Sequence, residues 1–202
     1  MLRIVLAWFA LLLAGCAAVQ PISEAERKKI SSVTINGAVS KPPVMSYLGG
    51  IGGLMFGAVG AAIAAPSMED SRKSFQVYVE KSGISIEKIV LEETTAAIQR
   101  SGKFPLAAAS RPGGAVIDIS IVQYGFSIPH GFTSKLVPTL FVRCDMKDAA
   151  GKVVWSSSER VLTLGNPVEG VEPEVFQSNP KAMEASWRAA AKHIAATIAA
   201  GY

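Results

Sequence analysis

Between Lys41 and Glu69 the chain runs for 27 residues, Pro42 to Met68, without a charged side chain. This does not fit an ordinary surface connection, because long loops without structure of their own are uncommon inside compact domains and exposed ones are usually polar. Gly49, Gly53 and Gly57 recur four apart, and Gly60, Ala61 and Ala64 extend the series. Wound as a helix, the 21 residues from Met45 to Ala65 would reach ~31 Å, enough to cross the hydrocarbon of a bilayer. The small residues would share one face, where a second backbone can approach closely and pack. Each glycine costs a helix in water about 1 kcal/mol against alanine, so the segment needs a compensating environment. Three forms fit: a single helix in or on a membrane, a short helical hairpin turning near Gly52-Gly53 or Gly57, or a flexible apolar loop packed on the domain.

A second apolar concentration lies at the start. Met1-Leu2-Arg3 supplies a short positive region, Ile4 to Leu12 an uncharged apolar run, and Leu13-Ala14-Gly15 small residues directly before Cys16. The run is too short for a mature membrane span and has the order of a secretory signal. Leu13-Ala14-Gly15-Cys16 resembles the lipobox of bacterial lipoproteins. That resemblance implies cleavage before Cys16, a thioether from its sulfur to diacylglycerol and acylation of its new amino group, with membrane lipid as the partner. Several acyl chains anchor far more firmly than the single chain that binds only marginally. Ala17 stands where an Asp retains such proteins in the inner membrane, so the resemblance also implies the outer membrane, with the domain facing the periplasm. The glycine series, Gly49, Gly53, Gly57 and Gly60, is similar to the glycine zippers of membrane-active and outer-membrane lipoproteins, which adds a homo-oligomer as a candidate partner.

The rest has the composition of a globular domain. Half of the 202 residues are hydrophobic and 18% are charged, with a mean hydropathy of +0.32, which excludes wholesale disorder. Lys and Arg number 20 against 16 acids, and loss of Arg3 with a signal peptide leaves +3, too weak and scattered for a nucleic-acid face. If Cys16 is lipidated, Cys144 is the one remaining thiol and no intrachain disulfide can form. The fold then rests on its core. The expected organisation is a signal peptide over 1–15, a lipidated tether over 16–29, and an α+β domain over 30–202 interrupted by the apolar insert at 42–68.

Periodicity fills in that domain. Ile30 to Val39 is rich in β-branched residues and reads as a strand. Ser71 to Lys81 fits a short helix, and Ser85 can cap a longer one whose stripe is Ile86, Ile89, Val90, Ala97 and Ile98, stopped at Gly102. Strands follow at Ala115 to Val122, Leu136 to Lys147 and Lys152 to Leu162, the last two joined by a turn at Asp148-Ala149-Ala150-Gly151. Asn179-Pro180 opens a final helix lined by Met183, Trp187, Ala190, Ile194 and Ile198. This order predicts an antiparallel sheet of three to four strands with two helices on one face.

Chemistry is sparse. His193 lies on the last helix beside Lys192, and His130 has no Cys or carboxylate at metal-ligand spacing, so no metal or other cofactor is expected. Alternation places Cys144 on a core face as an inert thiol, and Asp118 and Asp145 on solvent faces. No nucleophile elbow, phosphate loop or dinucleotide fingerprint occurs. The segment Tyr124 to Phe132 reads as a loop holding Tyr124, Phe126 and Phe132, which either folds back over the sheet or offers an aromatic anchor to a partner. The lipobox, the first strand, Pro42-Pro43, Ser101-Gly102-Lys103-Phe104 and the turn before Lys152-Val153-Val154-Trp155 together look like the periplasmic domains of curli-secretion and envelope-assembly accessory lipoproteins. The resemblance implies a non-enzymatic accessory or interaction subunit with a protein partner in the envelope, serving outer-membrane assembly, transport or integrity. An oligomeric channel or secretion component anchored by the insert is the alternative. An envelope hydrolase would need His130 beside a carboxylate and Cys144 in an open cleft.

Overall fold

The computed structural model describes residues 21–48, 68–109, 112–129 and 133–202. In chain order these form helix α1 (Glu24–Arg27), strands β1 (Ser32–Ile35) and β2 (Ser46–Leu48), helices α2 (Met68–Lys81) and α3 (Ile86–Ser101), strands β3 (Gly114–Ser127), β4 (Val137–Lys147) and β5 (Val153–Val161), and helices α4 (Pro173–Ser178) and α5 (Pro180–Ala200). The class is α+β, as the sequence order predicts. The sheet has five strands, and β3, β4 and β5 form its antiparallel body. Both short strands run parallel to β3 along its other edge, Ser32–Ile35 against Gly114–Ile117 and Ser46–Leu48 against Gly125–Ser127. Sequence alternation gives neither the parallel direction nor β2, whose three residues are hidden inside the uncharged run.

Local chemistry explains the helix ends. Ser85 Oγ accepts the amide of Lys88 at 3.2 Å, and Gly102 closes α3 at φ +63°, a conformation glycine adopts without penalty. Asn179 caps α5 by accepting the amide of Lys181, and Pro180 starts the first turn. Helix α5 packs across β4 and β5, with α3 beside it. Ile86, Ile89, Val90 and Ile98 of α3 and Met183, Trp187, Ile194 and Ile198 of α5 meet Ile117, Ile119 and Ile121 of β3 and Leu140, Val142, Cys144 and Met146 of β4 in one core. Outside that core, Arg188 of α5 bonds Glu92 and Glu93 of α3 and Glu184 of its own helix, joining the two helices along their polar edge.

Strand β3 runs five residues past the expected end at Val122, and a bulge explains why. Ile121 lies opposite Val142 and Gln123 opposite Phe141, so Val122 is an extra residue facing no partner. Alternation therefore skips a step. Gln123 is displaced from the helix-facing side, and Tyr124 and Phe126 take it.

Candidate functional site

The long strand gives the domain two distinct ends. Fourteen residues of β3, at about 3.3 Å each, separate them by ~45 Å. The chain enters at the first end. Ser31 donates its amide and its hydroxyl to the Gly113 carbonyl at 3.0 and 3.2 Å, just before β1 and β3 begin to pair. A four-residue helix such as α1 has no stability of its own, and tertiary contacts hold it here. Lys152 Nζ reaches Glu26 Oε1 at 2.7 Å, and the Arg27 guanidinium lies 5.2 Å from the centre of the Phe104 ring. Phe104 in turn packs edge-on to Tyr202, which packs edge-on to the buried Trp155.

An open cleft of about 430 Å³ lies between α1 and the β4–β5 turn, lined by Glu26, Lys29, Gly113, Asp148, Ala149 and Lys152. Glu26, Lys152 and Asp148 are already engaged with one another's segments. The hydrogen bond from Lys152 holds the Glu26 carboxyl below the ordinary carboxylate range, with Ser23 adding to the effect. Asp148 Oδ1 accepts the amides of Ala150 and Lys152, both at 2.9 Å, which shapes the turn. Four residues lie between Cys16 and Pro21, so the five Cα steps between them reach at most ~18 Å.

The uncharged run leaves from the opposite end. Leu48, the last residue of β2, pairs with Ser127, the last of β3. Two connections close around the same place. Ser127 Oγ and Thr163 Oγ1 are 2.7 Å apart, and Asn166 Nδ2 donates to the Pro138 carbonyl at 2.7 Å. Leu136 and Val171 exchange both backbone bonds at 2.8 and 2.9 Å.

The expected site residues separate into three groups. Cys16, Gly49, Gly53, Gly57, Gly60, His130 and Phe132 lie outside the described residues. Tyr124 and Phe126 lie in β3, not in a loop, and both are buried. Phe126 sits 4.8 Å from Trp187, 5.0 Å from Phe176 and 5.7 Å from Phe75 between ring centres, and Tyr124 lies 6.3 Å from Trp187. They are core aromatics, not partner anchors. Trp187 Nε1 donates to the Gly125 carbonyl at 3.1 Å, which fixes the backbone between them.

Cys144 is fully buried on the core side of β4, where burial pushes its thiol up to about 12. Burial of this kind leaves it no open cleft in which to act as a nucleophile. The aspartates lie on the opposite, helix-free side and are engaged with neighbours. Lys147 at 2.8 Å and Asn36 at 2.9 Å hold the Asp118 carboxyl below its usual range. For Asp145, partial burial opposes the charge, but bonds from Arg143 Nε and Nη2 and from Ser156 Oγ outweigh it and the carboxyl is lowered. Among the described residues no group of three or more His, Cys, Asp or Glu could hold a metal ion, and no helix is long and apolar enough to cross a membrane.

No family model matches the chain, and no curated protein matches it. Among solved structures it is similar to the PelC dodecamer from Paraburkholderia phytofirmans at 10% identity, covering 90% of this chain and 92% of that one with a TM-score of 0.41. It is also similar to the protein XCC0632 from Xanthomonas campestris at 12% identity, covering 87% and 85% with a TM-score of 0.45. Likeness of this degree does not place the chain in a family.

Proposed function

We propose that this chain is a lipid-anchored, non-enzymatic envelope protein, an interaction or accessory subunit in outer-membrane assembly, transport or integrity. The observation that carries the reading is Leu13-Ala14-Gly15-Cys16 followed by only seven residues before the docked helix α1 begins at Glu24. Acylation at Cys16 would leave Pro21 within ~18 Å, and the start of α1 at Glu24 within ~29 Å, of the anchored residue. In support of the reading, α1 is fastened to the β4–β5 turn through Glu26 and to Phe104 through Arg27, and Ser31 bonds Gly113, so the chain is held on the domain from α1 onward. Work of this kind rests on surfaces and position, and the two ends of β3 provide position.

The test is metabolic labelling with a radioactive fatty acid. The wild-type chain is expected to incorporate label and to fractionate with outer membranes, whereas Cys16→Ser is expected to lose both the label and the mass of the acyl groups. Labelling that persists in Cys16→Ser would end the lipid-anchored reading.

A further inference from the structure

We propose that the entry end of the domain is an electrostatic docking surface for an anionic phospholipid membrane, with Lys28 and Lys29 meeting the headgroups. Charges that are scattered in sequence are collected here by the fold. Arg27, Lys28 and Lys29 follow Glu24 and Glu26 in the segment that leads into β1. Lys103 Nζ donates to the carbonyls of Ala199, Ala200 and Tyr202 at 3.3, 2.9 and 2.6 Å, which brings the end of α3, with Arg100, to the same place. Lys147, Asp148 and Lys152 bracket the β4–β5 turn, and Asp118 is bound to Lys147. These segments hold seven cations against four acids. Apart from Arg3 and Arg111, which lie outside the described residues, the rest of the chain holds 11 cations against 12 acids. The excess positive charge is therefore local to one end.

Most of these groups are committed to the domain. Glu26 is held by Lys152 and Asp118 by Lys147, Arg27 lies over Phe104, and Arg100 Nε donates to the Ala96 carbonyl. Asp148 is turned into its own loop, where it accepts the amides of Ala150 and Lys152. Among the described residues, the side chains of Lys28 and Lys29 enter no hydrogen bond or ion pair, not even with Glu24 one turn before them, and both residues are exposed. Lys29 also lines the mouth of the open cleft, beside Gly113 and Ala149. Two adjacent ammonium groups are thus left for a partner. The large apolar side chains that the described residues expose, Val44, Val77, Val122, Leu162, Leu164 and Val175, all lie outside these segments. This end therefore offers charge without the apolar anchor of a protein interface or the aromatic platform on which bases stack. An anionic bilayer requires neither, because its field attracts each basic side chain that comes within ~10 Å of the surface. The proposal rests on the anchored reading only for the side from which the membrane arrives, since the chain from Cys16 enters here. The attraction itself does not require acylation.

The test measures binding of the full chain carrying Cys16→Ser, to which no acyl group can be attached, to vesicles of phosphatidylethanolamine alone and of phosphatidylethanolamine and phosphatidylglycerol in equal parts. The readout is the ratio of the two affinities, in which any attraction of the uncharged run to lipid cancels. A preference of at least about tenfold for the anionic vesicles at low salt, lost at high salt, is expected. Adding Lys28→Glu and Lys29→Glu is expected to bring the ratio close to one with Tm unchanged, because both residues are exposed. Lys81→Glu with Lys181→Glu makes the same change of charge before the start of α3 and in the first turn of α5, roughly 24 Å from the entry end along the 16 residues of α3. That pair is expected to keep most of the preference. A ratio of one before any lysine is changed, a ratio retained without Lys28 and Lys29, or a ratio lost equally in the Lys81 and Lys181 pair would overturn the proposal. So would release by inorganic phosphate beyond that caused by chloride at the same ionic strength, which would assign the lysines to a single phosphate ion. Where the glutamates lower Tm, Lys28→Gln with Lys29→Gln removes the charge without reversing it and decides by the same criterion. Fatty-acid labelling at Cys16 is a separate readout: label with a ratio of one sinks the basic surface alone, and a high ratio in a chain that takes no label sinks the anchor alone.

Discussion

Replacing Gly125 with alanine is expected to detach β2 from the sheet. A Cβ built at Gly125 would stand 1.7 Å from the Ser46 carbonyl oxygen and 2.6 Å from its carbon, far inside any tolerated contact. Strand β3 cannot yield, because the Gly125 carbonyl is held by Trp187 Nε1 and the residue is paired with Thr139 of β4. The three-residue strand β2 is the softer partner and must move by ~1.5 Å or more, beyond hydrogen-bonding range. Its departure unpacks Met45 and Tyr47, both buried, and separates the Tyr47 ring from Phe75, 5.6 Å away between centres. Burial of two such side chains contributes about 1.5–3 kcal/mol each, and the freed backbone recovers part of that as entropy. The net cost is about 2–4 kcal/mol, which for a domain of this size lowers Tm by roughly 5–15 °C. Thermal unfolding followed by far-UV circular dichroism gives the midpoint, and hydrogen exchange localises the loss to the amides of β2. A Tm within about 2 °C of wild type with β2 still protected would refute the reasoning, since it would mean the sheet absorbs the methyl group without losing the strand.

Two further substitutions probe the core and the open side of the sheet. Cys144 is expected to alkylate slowly in the native protein and fast in denaturant, and Cys144→Ser should cost more stability than Cys144→Ala, because a hydroxyl at that position would be buried among apolar side chains; equal rates in mass-spectrometric labelling with and without denaturant would contradict this. Asp145 has a folded-state pKa below its unfolded value, so its contribution is present above about pH 4 and fades as pH falls through the folded value. Asp145→Asn should therefore lower stability by about 0.5–1 kcal/mol at neutral pH, with the gap to wild type narrowing as pH falls into the acid range, read from urea titrations at neutral and acid pH; a constant gap would show that charge is not the cause.

Much of this architecture could be read from residue patterns, and the failures have identifiable causes. The caps at Ser85 and Asn179, the stop at Gly102 and the apolar stripes of α3 and α5 are local signals, set within one or two turns of helix, and the structure has each of them. Burial of Cys144 follows from strict alternation along β4. Alternation fails in β3 because one extra residue at Val122 shifts the phase, and the aromatics beyond it then look like a loop. Gly125 is the missed clue. A glycine inside a strand marks a close backbone approach, and here the approaching backbone is Ser46. Strand β2 escapes notice because Ser46, Tyr47 and Leu48 are as uncharged as Gly49 and its successors, so composition merges the strand with the rest of the run. The two-ended character of the domain was not legible at all, since it depends on which loops the sheet brings together and on the parallel direction of β1 and β2.

The parallel pairing of β1 also dictates the order in which the sheet can be assembled. Ser32 pairs with Gly114 and Leu48 with Ser127, so both early strands wait for a partner about 80 residues further along. A chain made, or threaded across a membrane, from its N-terminus would expose β1, the apolar run and β2 before any template exists for them. The template is β3, and its nearest partner β4 is joined to it by a short connection, so the β3–β4 ribbon can close quickly on local contacts while the N-terminal strands must be captured later at greater entropic cost. During that interval the most water-averse part of the molecule is unprotected. A segment with these delays needs a sheltering surface before it needs a fold, and in an exported chain the shelter must come from a chaperone or from the membrane itself.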